Sequence, residues 1–408
     1  MTPTISKIVN EIKPSATLSL KEEIGSLEKE YGFKIVDLTA GQPDTGPTED
    51  VLEALLEGGK LHKYGPVQGD PELRGILSEI ISKEIGVRYE PQDIAITVGV
   101  KGGIDILMRV LLEPGENAGI IAPFWVTYPE SVRLAHAIPC FLESDQALRP
   151  DPARLRKEVE DKNIKVLLYS SPSNPSGVVY TEDELQEIAK IVKEKDIWVI
   201  SDEIYAGFVF NGRKHKSILS IEGMRSNAIL VDGPSKRFGV PGWRIGYIAG
   251  PREVISALTK LQGHVNSGAS RPEQYAMRVA YTSEKARKAT DQMRQRYGRN
   301  GNTFVKGLNE IDGISCIKPE GAFYAFPRIK KLFGHEYEFA GKEYMIETSV
   351  DFRNFLLRKT QVAGVEGAPF GMDGYIRFSL ATSEENIAKA LTNIKDAVKE
   401  LKKRESND

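Results

Sequence analysis

The chain has 408 residues, long enough for two domains and a deep site, with 40% hydrophobic and 27% charged residues and a formal net charge of −2. That balance, with no basic stripe beyond the short "KELKKRESND" terminus, leaves nucleic acid out as an implied partner. Two isolated cysteines, Cys140 and Cys316, lack CxxC spacing and the five histidines lack HExxH spacing, so neither a disulfide scaffold nor a catalytic metal is implied, and a cytoplasmic location is expected.

In chain order, the opening "MTPTISKIVNEIKPSATLSLKEE" has no basic segment followed by an apolar run, and no later run is long enough to cross a bilayer. Neither secretion nor membrane insertion is therefore expected. From about residue 48, amphipathic helical patterns alternate with short apolar strands: "PELRGILSEIISKEIG", "IAITVG", "GGIDILMRVLLEPG", "AGIIAP". This alternation predicts an α/β fold, with βα units around a mostly parallel sheet sandwiched by helices. Further strands are read at "VLLYSSP" (166–172), "IWVISDEIY" (197–205), "AILVDG" (228–233) and "RIGYIAG" (244–250). Thr181 and Glu184 form a capping-box signature at the head of the helix "TEDELQEIAKIVKEKD".

Beyond about residue 290 the pattern changes. A long charged helix around 283–311 is followed by strands at "GISCIKP", "GAFYAFPRI" and "GYIRFSLA", and by helices at "SVDFRNFLLRKT" and "SEENIAKALTNIKDAVKELKK". A large domain over 48–290 and a smaller α+β domain over 291–408 are expected, with the boundary inside a continuous helix.

In an open α/β sheet the ligand site lies beyond the carboxyl ends of the strands, so residues directly after each strand carry most weight. Asn174 follows one strand in "SSPSNPSG", Asp202 and Tyr205 end another in "ISDEIY", Lys236 follows a third in "DGPSK", and "ITVGVKGG" leads into a helix start. These residue types suit an aldehyde cofactor with an aromatic ring and a phosphate, which describes pyridoxal 5'-phosphate. A lysine amine forms a Schiff base, a carboxylate keeps a pyridine nitrogen protonated, and Tyr and Asn can hydrogen-bond a phenolic oxygen. The phosphate would meet free N–H groups at the helix start after Gly99, with Arg244 as a bidentate fork.

This combination, "NPSG", then "DEIY", then "SK" with "GWRIGY" eight residues after the lysine, then the late arginine in "IRFS", resembles the fold type I aminotransferases of class I/II, the aspartate aminotransferase family. The resemblance runs from "LTAGQPD" to "GYIRFSLA". It implies that Lys236 is the Schiff-base lysine and proton shuttle, and that Asp202 pairs with the pyridine nitrogen. Asn174 and Tyr205 would hold O3′, and Trp125 in "APFWVTYP" would stack on the ring. Gly99, Val100 and Lys101 occupy the phosphate turn, with Ser235 and Arg244 as further phosphate ligands. Arg377 matches the arginine that clamps the substrate α-carboxylate, and Gly41, in "GQP", the backbone contact to it; Trp125 and Asn174 border the same substrate. Lys101 also matches a lysine that reads a distal carboxylate in the prokaryotic subgroup. Tyr64 matches a tyrosine that reaches the neighbouring subunit's phosphate, which implies a homodimer with shared active sites. Residues 1–47 would form an N-terminal arm and part of the small domain, and 48–290 the cofactor-binding domain.

Three features depart from the pattern. Gly233 stands where relatives often carry a phosphate-binding serine; Ala368 and Pro369 alter "VEGAPFG", expected at the substrate pocket; and His264, Asn266 and Arg271 are unexpected polar groups in a loop whose counterpart lies near the neighbour's site. The expected activity is ping-pong transamination with aspartate as donor and 2-oxoglutarate as acceptor. Aromatic, methionine or alanine donors, a C–S lyase or racemase on the same fold, and a regulatory ligand-binding module are the alternatives; the chain shows no helix-turn-helix segment to support the last.

Overall fold

Runs of aliphatic residues buried on both faces build a seven-stranded sheet in the computed structural model, which describes residues 5–14 and 16–403. Residues 1–4, 15 and 404–408, including the last part of the charged terminus, lie outside the described residues. After a short β1 (Val36–Asp37), the sheet strands are β2 (Ile94–Val98), β3 (Asn117–Ile121), β4 (Ile138–Leu142), β5 (Ile164–Ser170), β6 (Trp198–Asp202), β7 (Ala228–Asp232) and β8 (Ile245–Ala249). Their spatial order is β2-β8-β7-β6-β5-β3-β4. All run parallel except β8, which is antiparallel to both β2 and β7.

Every residue of β7 and β8 is buried, as befits strands covered on both sides. Successive side chains point to opposite faces: Ile200, Ile229 and Val231 join one core, Val199, Ala228 and Leu230 the other. Thr181 and Glu184 cap the helix Glu182–Lys195 reciprocally, with Thr181 N–H donating to Glu184 Oε2 at 2.7 Å and Glu184 N–H to Thr181 Oγ1 at 3.2 Å. Among the described residues no helix is long and apolar enough to cross a membrane.

The later part holds β9 (Tyr324–Ala325), β10 (His335–Phe339), β11 (Lys342–Ile346), β12 (Val362–Ala363), β13 (Val365–Glu366), β14 (Ile376–Ser379) and β15 (Lys402–Lys403). Strand β14 lies between β13 and β9, and β1 pairs in parallel with β12. Leu38 O also accepts from Ser379 N–H at 2.6 Å, which brings the segment holding Gly41 alongside β14. The helix Glu284–Leu308 runs unbroken through residue 290.

Several expected strands are shorter or absent, for local reasons. "IWVISDEIY" stops at Asp202, because Ile204 N–H turns back to the Asp202 carboxylate and Ala206 N–H to Glu203 O. "GISCIKP" forms no strand; the Asn309 side chain bonds both Cys316 N–H (2.7 Å) and Cys316 O (3.1 Å), occupying groups a ladder would use. "GAFYAFPRI" shrinks to β9, two residues ahead of Pro327, which has no N–H to donate. The hairpin β10–β11 is an addition. Its turn residues Ala340 (φ 51°) and Gly341 (φ 73°) both take positive φ, and alanine in place of the usual asparagine hides that turn in the sequence.

Gln262, fully buried on the helix Arg252–Val265, donates through Nε2 to Val67 O (2.8 Å) and Ile96 O (2.9 Å). Gln262→Leu strands both carbonyls in an apolar setting and is expected to lower stability by about 2 kcal/mol in urea unfolding; an unchanged midpoint would show that these bonds do not anchor the helix.

Candidate active site

The carboxyl ends of β2, β5, β6 and β7 share one edge of the sheet. Because β8 runs the opposite way, the residue that precedes it, Arg244, arrives at that same edge. A cavity of about 240 Å³ lies there. Lys236, Asp202, Tyr205, Asn174, Trp125, Val100, Lys101, Ser235, Arg244, Gly41 and Arg377 all border it. Four of these are cations and one is a carboxylate, so the cavity has a surplus of positive charge.

Lys236 sits on the short helical turn Pro234–Arg237, where the fully buried β7 delivers it, and Nζ donates to Gly41 O. Burial, with the nearby Arg377 guanidinium, pushes its amine down to about 8, against a smaller upward pull from Asp202. Asp202 moves the other way. Burial raises its carboxyl to about 6, although Tyr128 Oη donates to Oδ2 (2.7 Å) and Ile204 N–H to Oδ1 (3.1 Å). The two groups are thus pushed toward their neutral forms.

Arg377, in β14 and 2% exposed, has no carboxylate partner among the described residues. Nη1 donates to Asn174 Oδ1 (3.0 Å) and Nη2 to Thr39 O (2.8 Å), while Nε is buried with no acceptor. The guanidinium lies over the rings of Tyr324 (4.5 Å to the centroid) and Phe370 (4.9 Å). A buried guanidinium with neutral partners and an idle N–H is built for an arriving anion.

The helix Gly99–Leu111, which contributes Val100 and Lys101 to the cavity wall, starts with first-turn N–H groups that have no helical acceptor; Gly99 itself does not border the cavity. Gly99 has φ +67°, and a Cβ there would stand 2.5 Å from Arg244 Nη2, so the glycine lets the guanidinium tip lie over the turn. Gly233 has a packing reason too: a Cβ would press within 3.1 Å of both Gly246 Cα and Ile245 O, and Ser235, two residues on, borders the cavity. Lys101 Nζ lies 5.1 Å from the Trp125 ring centroid, and its surroundings together with Arg244 lower its pKa.

Tyr64 is not brought into this cavity. It is 92% exposed in a separate, open hollow of about 1040 Å³ shared with Asn266 and Arg271; His264 is exposed nearby. Ala368 and Pro369 do not border the cavity either; they lead into Phe370, which supports Arg377 from below. Among the lining residues that the sequence does not single out are two tyrosines with direct polar contacts to site residues. Tyr128 stands three positions after Trp125 at the start of the helix Thr127–Leu134, a spacing that could have flagged it, whereas Tyr324 in "GAFYAF" carries no signal beyond that of a strand.

Comparison with known proteins agrees with this geometry. The sequence model described as aminotransferase class I and II matches residues 34–394. An aspartate aminotransferase of Streptomyces avermitilis is 34% identical, covering 98% of this chain and 97% of that protein. An aspartate/prephenate aminotransferase of Thermus thermophilus is 34% identical, covering 95% and 97%. The solved aspartate aminotransferase from Thermus thermophilus with maleate superposes with a TM-score of 0.88 at 32% identity, covering 97% of this chain and all of that one. An α/β chain with a lysine-bearing cavity at this sheet edge is a fold type I enzyme. The chain belongs to the aminotransferase class I and II family, and its activity is that of an aminotransferase.

Since Lys236 is driven to about 8, in ligand-free protein it is expected to react with acetic anhydride at half-maximal rate near that pH, while surface lysines titrate near ~10.4. Peptide mass spectrometry across pH checks this, and a midpoint shared with surface lysines would contradict it. Its folded pKa lies below the unfolded value, so the native chain holds fewer protons between the two. This residue's contribution to stability therefore rises with pH across that window.

Proposed function

We propose that the cavity binds pyridoxal 5'-phosphate and that the protein carries out ping-pong transamination between an L-amino acid, aspartate favoured, and a 2-oxo acid, 2-oxoglutarate favoured. The observation that carries this reading is a single cavity wall that joins a lysine with a depressed pKa, a buried carboxylate and a buried guanidinium without a counter-charge among the described residues. The residues present suit the cofactor: glycine at position 99 lets the Arg244 guanidinium lie against the first turn of the helix, setting a cation beside its free N–H groups, and Asp202, disfavoured as an isolated anion, would be stabilised by a cationic ring nitrogen. When bound, pyridoxal phosphate supplies an aldehyde that captures an amino group and a protonated ring that draws electron density from Cα.

The chain's residues do the rest. Asp202 keeps a proton on the ring nitrogen, with Tyr128 holding the carboxylate in place. Asn174, whose Oδ1 is taken by Arg377, has its amide N–H groups left to donate to O3′, together with the Tyr205 hydroxyl. Ser235, Arg244 and the N–H groups of Gly99, Val100 and Lys101 hold the phosphate, and Trp125 covers the ring face and excludes water. Arg377 fixes the substrate carboxylate through parallel hydrogen bonds, with Gly41 beside it, and so orients the Cα–H bond. Lys236 Nζ, whose neutral form burial favours, would take the proton from the substrate Cα and return it on the same face to the cofactor C4′.

Aspartate is favoured because relatives so named match nearly end to end and because Lys101 has no carboxylate partner among the described residues. The exposed Tyr64 is assigned to a second copy's phosphate site, which makes the working unit a homodimer; the unpaired cysteines fit a cytoplasmic location. We also read 48–290, which contains the whole seven-stranded sheet, as the cofactor-binding domain, 291–408 as the small domain, and 1–47 as an arm contributing to it through β1.

Aspartate added without an oxo acid is expected to give one half-turnover, seen as a single loss of the visible cofactor band; continuing release of ammonia would indicate a lyase instead. Lys101→Ala is expected to raise KM for aspartate about tenfold or more while leaving alanine unaffected, the scale of one lost charge-assisted hydrogen bond. Equal loss for every donor would assign Lys101 to the phosphate end alone.

A further inference from the structure

Tyr324 is fully buried in β9, and its hydroxyl lies 2.7 Å from that of Tyr205. Its ring lies beneath the Arg377 guanidinium, 4.5 Å from centroid to Cζ. One side chain therefore touches both the Tyr205 hydroxyl and the guanidinium that has no carboxylate partner among the described residues. Each tyrosine hydroxyl carries a single hydrogen, so within the pair only one can donate to the other. Tyr205 lines the same cavity as Asn174 and Asp202, and its hydroxyl is of use to a ligand oxygen only if its hydrogen is free of Tyr324. The hydrogen in the 2.7 Å contact must then come from Tyr324.

The surroundings favour that direction. Burial raises both phenols, but for Tyr324 the adjacent Arg377 is the principal opposing influence, whereas Tyr324 itself drives Tyr205 further up. The Arg377 guanidinium stacked on the Tyr324 ring draws electron density from that phenol, which makes its hydroxyl the better donor of the pair. Gly41 leaves the arrangement room, since a Cβ at that position would already stand 3.3 Å from Tyr324 Oη.

We propose that Tyr324 is a positioning residue for transamination: its hydroxyl donates to Tyr205 Oη and turns the Tyr205 hydrogen into the cavity, while its ring holds Arg377 for the substrate carboxylate. The inference rests on the pyridoxal phosphate reading of the cavity. It predicts separable effects, because the hydroxyl serves the cofactor end and the ring serves the carboxylate end.

The test compares Tyr324→Phe, Tyr324→Leu, Tyr205→Phe and the Tyr205→Phe/Tyr324→Phe double variant, each loaded with pyridoxal phosphate. Tyr324→Phe should lower kcat about tenfold, keep KM for the amino donor within about twofold, and move the pH midpoint of the visible band upward, since O3′ loses an aligned donor. Tyr324→Leu should add an increase in KM of about tenfold or more. The double variant should be no slower than Tyr205→Phe alone, since the Tyr324 hydroxyl acts only through Tyr205. Wild-type kcat and an unmoved midpoint in Tyr324→Phe, or additive losses in the double variant, would overturn the proposal. Failure of the wild-type protein to develop a visible band would overturn the reading of the cavity, and this inference with it, before any variant is compared.

Discussion

Arg377 is buried against two aromatic rings, an amide oxygen and a backbone carbonyl, and nothing negative faces it among the described residues. A guanidinium held this way gives up hydration that neutral acceptors replace only in part. Much of the surrounding architecture serves to hold it there. Strand β14 is pinned between β9 and β13, and the segment after β1 is drawn across by Leu38 O so that Thr39 O can accept from Nη2. The rigid sheet fixes Asn174 opposite Nη1. What the fold leaves uncompensated is the interaction that a carboxylate ligand would supply.

The same surplus of positive charge governs the lysine. Burial and Arg377 favour the neutral amine of Lys236, the form that attacks a carbonyl or accepts a proton, at a pH where an exposed lysine would be fully charged. Burial favours the neutral acid at Asp202 as well, yet Tyr128 and the Ile204 N–H hold its carboxylate oriented for a cation. Two groups of one cavity are thereby tuned for different tasks by one cause, desolvation, with neighbouring charges setting the difference. Under the proposed reading, cofactor and substrate together supply the negative charge that the protein withholds.

The central sheet was legible in the sequence because its strands are short apolar runs separated by strongly periodic helices, and the capping box at Thr181 and Glu184 marks one helix start directly. The residues at the strand ends could be picked out because a parallel sheet puts carboxyl ends on one edge. Arg244 does not obey that rule: it precedes its strand, and only the antiparallel direction of β8 places it in the cavity, so the motif around it was the guide. The later strands were harder. Two- to five-residue strands leave little periodicity, side-chain bonds such as those from Asn309 replace ladders, and an Ala-Gly turn does not announce a hairpin. Tyr128 and Tyr324 were missed because each acts on another residue's polar group, a relation that exists only in three dimensions.

The central claim is that Lys236 is the nucleophilic amine that the cavity is arranged to hold. Its most direct test is to load the protein with pyridoxal phosphate, reduce it with borohydride, digest it and map the modified residue by mass spectrometry. The account predicts a stable pyridoxyl phosphate group on the peptide containing Lys236 and on no other. Stoichiometric label on Lys101 or a surface lysine, with Lys236 unmodified, would contradict it.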